Sequence, residues 1–97
     1  MKQNVEKLKK KGQKYFLEGR VKRKKFTKDY LSFEIVGKLG VYITTFYKDT
    51  KEYECTCKKD YIGKSYKTNL PFCSHCYAII FQIKNEIIEF GEDIIKC

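Results

Sequence analysis

Four of the five cysteines and the single histidine of this 97-residue chain fall in two short stretches, Tyr53-Glu54-Cys55-Thr56-Cys57 and Pro71-Phe72-Cys73-Ser74-His75-Cys76. No other feature limits the fold so tightly, because side chains that share one metal ion must converge on a single point. In an extended strand alternate side chains share a face, so Cys55 and Cys57 point the same way and Thr56 points the other. Structural zinc takes four ligands in a tetrahedron, and a second pair must therefore come from Cys73, His75 and Cys76. Neighbours at i and i+2 diverge on a regular helix, so a Cys73/His75 pair needs Cys73 in the loop and His75 in or just before the first helical turn. Pro71 suits that arrangement, since helices start readily just after a proline and the residue before it is biased away from helix. A Cys73-x-x-Cys76 knuckle with His75 outside the shell is the chemically reasonable alternative, which makes Cys76 the alternative fourth ligand.

Two other chemistries compete for these residues. Four cysteines can form two disulfides, but Met1-Lys2-Gln3 shows nothing like a secretory signal, and the expected setting is the reducing cytoplasm, where such spacing points to metal. Cys73-Ser74-His75-Cys76 at a helix start also has the form of a thioredoxin-type dithiol, its first cysteine activated by the helix N-terminus. That thiol–disulfide oxidoreductase reading expects a strand in a parallel βαβ context, and it leaves Cys55 and Cys57 without a role. No paired carboxylates, phosphate-binding glycine loop or Ser-His-Asp arrangement stands out, so the chain is expected not to be an enzyme.

The pattern C-x-C, a variable loop, then C-x-H running into an apolar helix resembles the SWIM zinc finger. Cys73-Ser74-His75-Cys76-Tyr77-Ala78-Ile79-Ile80 follows that family's order of C-x-H, two residues, alanine and aliphatics. The run from Gly19-Arg20-Val21 through Phe33, Val41 and Tyr53 is similar to the short strands that precede a SWIM ligand strand, so the resemblance spans most of the chain. It implies Cys55, Cys57, Cys73 and His75 as the Zn²⁺ ligands. It also implies a small β-meander packed on a helix, in proteins associated with DNA transactions and with protein–protein contacts.

The rest of the chain reads as one domain, residues 1–97, of α+β class. It should comprise an N-terminal helix, a small antiparallel meander of three to four strands, and a zinc site joining the last strand to a C-terminal helix. From Gln3 to Glu18, Val5, Leu8, Gly12, Tyr15 and Phe16 recur at spacings of three and four, with Asn4 as an N-cap and Gly19 at the C-cap position. Val21 to Thr27 is lysine-rich, as an edge strand must be to avoid pairing with other chains. Leu31, Phe33 and Ile35 alternate with Ser32 and Glu34 as a half-buried strand. After the hairpin loop Gly37-Lys38-Leu39-Gly40, Val41, Ile43 and Thr45 face one way and Tyr42, Thr44 and Phe46 the other. Asp49-Thr50-Lys51 turns the chain into the ligand strand, Glu52 to Cys57. Lys58 to Leu70 has no period and reads as an exposed loop, long enough to be functional or mobile. From Ser74, Ile79, Ile80, Ile83, Ile87 and Phe90 form a helical stripe, with Lys84, Asn85, Glu86 and Glu89 outside it. Gly91 is placed as the helix end, with Ile94 and Ile95 docked or frayed beyond it. Cys97 reads as a free thiol.

Charge separates partner classes. The chain carries 21 Lys and Arg against 12 Asp and Glu, a formal net charge of +9. No apolar run reaches the roughly 18 residues needed to cross a bilayer, so no membrane is expected as partner. Residues up to Lys28 hold only Glu6 and Glu18 against many lysines and both arginines, whereas Glu86, Glu89, Glu92 and Asp93 make the other end acidic. If the first helix, the Arg20–Lys25 strand and the Lys58–Lys67 loop share a side, they form a basic strip interleaved with Tyr15, Tyr61 and Tyr66. DNA is the expected partner, held mainly through phosphates by Arg20, Lys22, Arg23, Lys24, Lys25, Lys58, Lys59, Lys64 and Lys67. The rival expectation is a protein–protein adaptor of a DNA repair, recombination or chromatin-type assembly, with the exposed tyrosines and the C-terminal helix as its contact surface. A solvated, lysine-rich surface with no anionic partner is the simplest alternative to both.

Overall fold

A computed structural model of the chain describes residues 5–37, 39–59 and 62–90, the side chains at 59, 89 and 90 excepted. Asn4, Lys38, Tyr61, Gly91, Glu92, Asp93, Ile94, Ile95 and Cys97 lie outside the described residues, as do the side chains of Lys59, Glu89 and Phe90. The elements run α1 (Val5–Leu17), β1 (Val21–Phe26), β2 (Tyr30–Val36), β3 (Val41–Tyr47), β4 (Glu52–Lys59), β5 (Ser65–Thr68) and α2 (Ser74–Phe90). The strands form one antiparallel meander in the order β1-β2-β3-β4-β5. The expected α+β architecture is present, with one strand more than the three to four expected. That strand, β5, lies within the segment read as an exposed loop. Only four residues long, it carries Tyr66 and Thr68 on one face, too short an alternation to register as a period.

Register assigns the two faces of the sheet. Val21 pairs with Ile35, Phe33 with Thr44, Thr44 with Cys55, and Cys55 with Tyr66, so these residues share the inner face. Leu31, Phe33 and Ile35 are buried there with Val21 against Ala78 and Ile79 of α2. On the outer face Ser32 pairs with Thr45 and their hydroxyls hydrogen-bond at 3.2 Å, which explains why two polar side chains are buried on that side. Tyr47, also on that face, donates its hydroxyl to Glu54 at 2.5 Å.

Helix α1 ends in a Schellman motif: Gly19 adopts φ 70°, its N–H donates to Phe16 O, and Arg20 N–H donates to Tyr15 O. Within α1, Gly12 is buried against the first turns of α2. A Cβ there would lie 2.7 Å from Ser74 O and 2.8 Å from Ala78 N, so the absence of a side chain is what lets the two helices touch.

Two expectations about charged residues are corrected. Glu86 is not on the outside of α2: it is only 6% exposed, and its carboxylate accepts hydrogen bonds from Arg23 Nε, at 3.1 Å, and from Arg23 Nη2. Arg23 lies opposite Phe33 and so points to the helix side, where burial of a carboxylate demands a cationic partner. The basic residues of β1 and those at 58–67 do not form one strip either. β1 is one edge of the five-stranded sheet, whereas Lys67 lies on β5 at the opposite edge, about 19 Å away at the usual interstrand spacing, and Lys58 on the neighbouring β4.

Candidate metal centre

Cys55 reaches the site because β4 is central where it matters. It pairs with Thr44 on one side and Tyr66 on the other, is fully buried, and points to the inner face. Beyond Cys55 the ladder with β5 steps to Lys59↔Ser65, so the strand bulges through Cys57. Thr56 turns away, and its hydroxyl accepts the Ile43 N–H at 3.1 Å. Cys73 lies just before α2, where its carbonyl accepts the N–H groups of Cys76 and Tyr77. His75 is in the first turn, as the C-x-H geometry requires.

The structure thereby brings the donor atoms of Cys55, Cys57, Cys73 and His75 within 4.8 Å of one another, close enough to hold one metal ion. Nδ1 is the imidazole atom turned toward the sulfurs, 3.5 Å from Cys55 Sγ and 3.8 Å from Cys73 Sγ. Cys76 is outside this group of four. It is fully buried on α2, with its Sγ 3.6 Å from Cys73 Sγ, and packs with Phe72 and Cys55 in a small cluster of its own.

The thiols cannot all be charged without a cation. Hydrogen bonds from the Cys57 and Cys73 thiols, and further ones from His75 and Thr44, hold the Cys55 thiol far below the usual range despite its burial. The cost appears on its neighbours. Hydrogen bonding to Cys55, then to Cys73, together with burial pushes Cys57 up, and hydrogen bonding to Cys55 is also the largest effect raising Cys73. Several thiolates crowded into one partly buried space are stabilised together only by a positive ion.

Three participants at the site carry no sequence signal that assigns them to it. Thr44 Oγ1 donates to Cys55 Sγ at 3.3 Å. Tyr42 stacks on the His75 ring at 4.4 Å between centroids, and Tyr15 stacks on the same ring at 5.6 Å. A ligand histidine ordinarily has its second nitrogen fixed by a hydrogen bond. Here, among the described residues, two tyrosine rings hold the imidazole instead. The alternation of β3 places Tyr42 and Thr44 on one face, but only the pairing of Thr44 with Cys55 reveals that this face is the site's.

Of the residues expected to contact nucleic acid, Lys22 pairs with Glu34 in register and thus stands on the outer face, as Lys25 does through Ser32. Lys24 makes a 3.5 Å ion pair with Glu34. Arg20 donates to Glu18 and to Val36 O, and Arg23 is held by Glu86. At the other edge Lys58 lies over the Tyr66 ring and Lys67 over the Tyr47 ring, with Glu52 3.7 Å from Lys67 Nζ. Lys64 is exposed in the turn before β5. Tyr66 packs edge-on against Phe72, so it and Tyr15 serve the interior as well as the surface. No helix among the described residues is long and apolar enough to cross a membrane. No known family, curated protein or solved structure matches the chain.

Proposed function

We propose that this chain is a non-enzymatic, SWIM-type zinc module that binds nucleic acid, DNA foremost, through the phosphate backbone. The convergence of three thiols and one imidazole carries the zinc part of the reading. Tetrahedral bonds of about 2.3 Å to sulfur and 2.0–2.1 Å to nitrogen set sulfur–nitrogen separations near 3.6 Å, with sulfurs about 3.8 Å apart. The observed sulfur–nitrogen separations of 3.5 and 3.8 Å match that frame. Cys55, Cys57, Cys73 and His75 would hold the ion and close its coordination shell, so that its role is structural and it fastens β4 to the start of α2. The antiparallel sheet argues against the thioredoxin-type alternative, which needs a parallel βαβ setting.

The nucleic-acid part rests on the charge distribution. The exposed lysines of α1 and the outer-face lysines of β1 are concentrated in one half of the chain, the former on the helix side of the sheet and the latter on its other face, and lysine-rich surfaces of this kind are attracted to phosphates without reading sequence. We assign the phosphate contacts to α1 and β1 rather than to the 58–67 segment, since Lys58 and Lys67 are engaged over tyrosine rings. Fluorescence anisotropy of zinc-loaded protein with labelled DNA between about 50 and 200 mM salt tests it. Log affinity should fall with log salt at a slope near −0.9Z for duplex, with Z of about 4–6. Replacing Lys22 and Lys25 by Gln should weaken binding to unrelated sequences alike and flatten the slope by about 2. Absence of binding at the low-salt end would sink the nucleic-acid reading and leave the protein adaptor in its place.

A further inference from the structure

Beside the metal centre a cleft of about 490 Å³ opens between the C-terminal half of α1 and the β2–β3 hairpin. Its volume falls in the range of about 300–1,000 Å³ usual for small-ligand sites. The walls differ in chemistry. Lys11, Lys14 and Arg20 supply three cations against the single carboxylate of Glu18, while Tyr15, Tyr42 and His75 supply aromatic surface. Leu39, at the hairpin tip, completes the apolar side although it is 94% exposed.

Arg20 is pre-positioned, its Nε donating to Glu18 at 2.7 Å and its Nη1 to Val36 O at 3.1 Å. Neither Lys11 nor Lys14 makes an ion pair among the described residues, and both are exposed on α1. The aromatic wall is rigid because the His75 ring is stacked between the two tyrosines and belongs to the metal centre. A cleft with cations on one wall and fixed aromatic rings on the other matches a ligand with an anionic part and a flat apolar part.

We propose that this cleft receives one nucleotide unit of a single-stranded nucleic acid, its phosphates against Lys11, Lys14 and Arg20 and its base against the Tyr15, Tyr42 and Leu39 side. The inference rests on the nucleic-acid reading above and sharpens it: beside phosphate contacts that duplex can also make, the cleft beside the candidate metal centre takes only an unpaired nucleotide, because bases in a duplex are already stacked and offer no free face. The cations line the cleft on α1 and at Arg20, whereas His75 has its Nδ1 turned to the sulfurs of Cys55 and Cys73, so the phosphate belongs on the lysine side of the cleft and the base on the imidazole side.

The test compares the zinc-loaded full chain on eight-nucleotide DNA and RNA strands, on the same DNA strand made abasic, and on duplex of equal length, by anisotropy at one low salt concentration. Intact single strands of either sugar should bind about tenfold or more tighter than the abasic strand, the scale set by stacking of one base on aromatic side chains. The Lys11→Ala/Lys14→Ala double variant, changed only on an exposed helix face, should weaken the intact strands. In parallel, amide chemical shifts on titration with a dinucleotide should move at residues 11–20 and 39–42 and at the start of α2. Equal binding of intact and abasic strands, or shift changes centred elsewhere, would overturn the cleft assignment while leaving general phosphate binding standing. No binding of any strand would remove both readings together.

Discussion

At the scale of single residues, the decisive contrast is between His75 and Cys76, adjacent in sequence and both buried. Nδ1 of His75 faces the sulfurs, whereas Cys76 touches only Cys73 among them within hydrogen-bonding distance. His75→Ala should therefore lower metal affinity by well over about 100-fold, more than loss of an outer-shell partner costs. Cys76→Ser should leave affinity nearly unchanged. Thr44→Val, which deletes the hydroxyl on Cys55 but keeps the shape, belongs between them at about tenfold. Competition with a chromophoric chelator measures all three, and a reversed order of His75 and Cys76 would move the fourth ligand to Cys76. The sulfur and imidazole donors are legible from sequence because their chemistry does not depend on the fold. Thr44, Tyr42 and Tyr15 are not, because a threonine or tyrosine acquires a role here only through its neighbour across a strand pair or a helix contact.

Among the elements, the contact of α1 with α2 is the one on which the site leans. Gly12 sits against Ser74, Tyr77 and Ala78, the same turns that carry His75. Gly12→Ala ought to gain about 1 kcal/mol of helix propensity. Yet its Cβ would meet Tyr77 Cβ at 2.7 Å and backbone atoms of Ser74 and Ala78 at 2.7 and 2.8 Å, none of which can move without shifting the helix. Overpacking of this kind costs about 1–3 kcal/mol. Urea denaturation should show a net loss of stability, together with weaker metal binding as the α2 start is displaced. A variant as stable as the parent would contradict the helix contact. The period of α1 places Gly12 on the apolar stripe, but a stripe does not say which partner comes so close. Glu86 departs from its expected outward position for a related reason. Hydrophobic periodicity counts every glutamate as outward, and only the crossing of β1 near α2 brings Arg23 to neutralise this one.

For the whole molecule, the core is divided. One cluster joins Val21, Leu31, Phe33 and Ile35 to Ala78 and Ile79, while a second, of Cys55, Phe72 and Cys76, includes a donor of the candidate metal centre. A 97-residue chain whose described core is divided has little stability to spare. Structural zinc contributes apparent binding energies of about 10–16 kcal/mol in small domains. At about 4–8 °C per kcal/mol for a domain of this size, losing even a third of that would lower the melting temperature by more than about 10 °C. A chelator should accordingly collapse the cooperative thermal transition, and one equivalent of Zn²⁺ should restore it. Zinc-free purified protein that melts identically with and without chelator would refute the zinc reading. Acidification acts in the same direction, since protonated thiols and a protonated imidazole do not bind metal.

What the sequence determined by itself is whatever depends on local pattern and donor chemistry. The two helices, the lysine-rich edge strand, the alternating β2 and β3 and the Gly19 cap all follow from periods and caps that neighbouring residues set. That the site lies among Cys55, Cys57, Cys73, His75 and Cys76 follows from where the donors cluster, the SWIM resemblance implies the set Cys55, Cys57, Cys73 and His75, and the fold brings those four together. Tertiary structure decided what depends on register and on which elements meet. It paired the short strand β5 with β4, turned Thr44 toward Cys55, and stacked Tyr15 and Tyr42 on His75. It also set the two lysine-rich segments on opposite edges of the sheet. Charge along a chain carries no information about which edge a strand will occupy, because that is fixed by hydrogen-bonded neighbours many residues away.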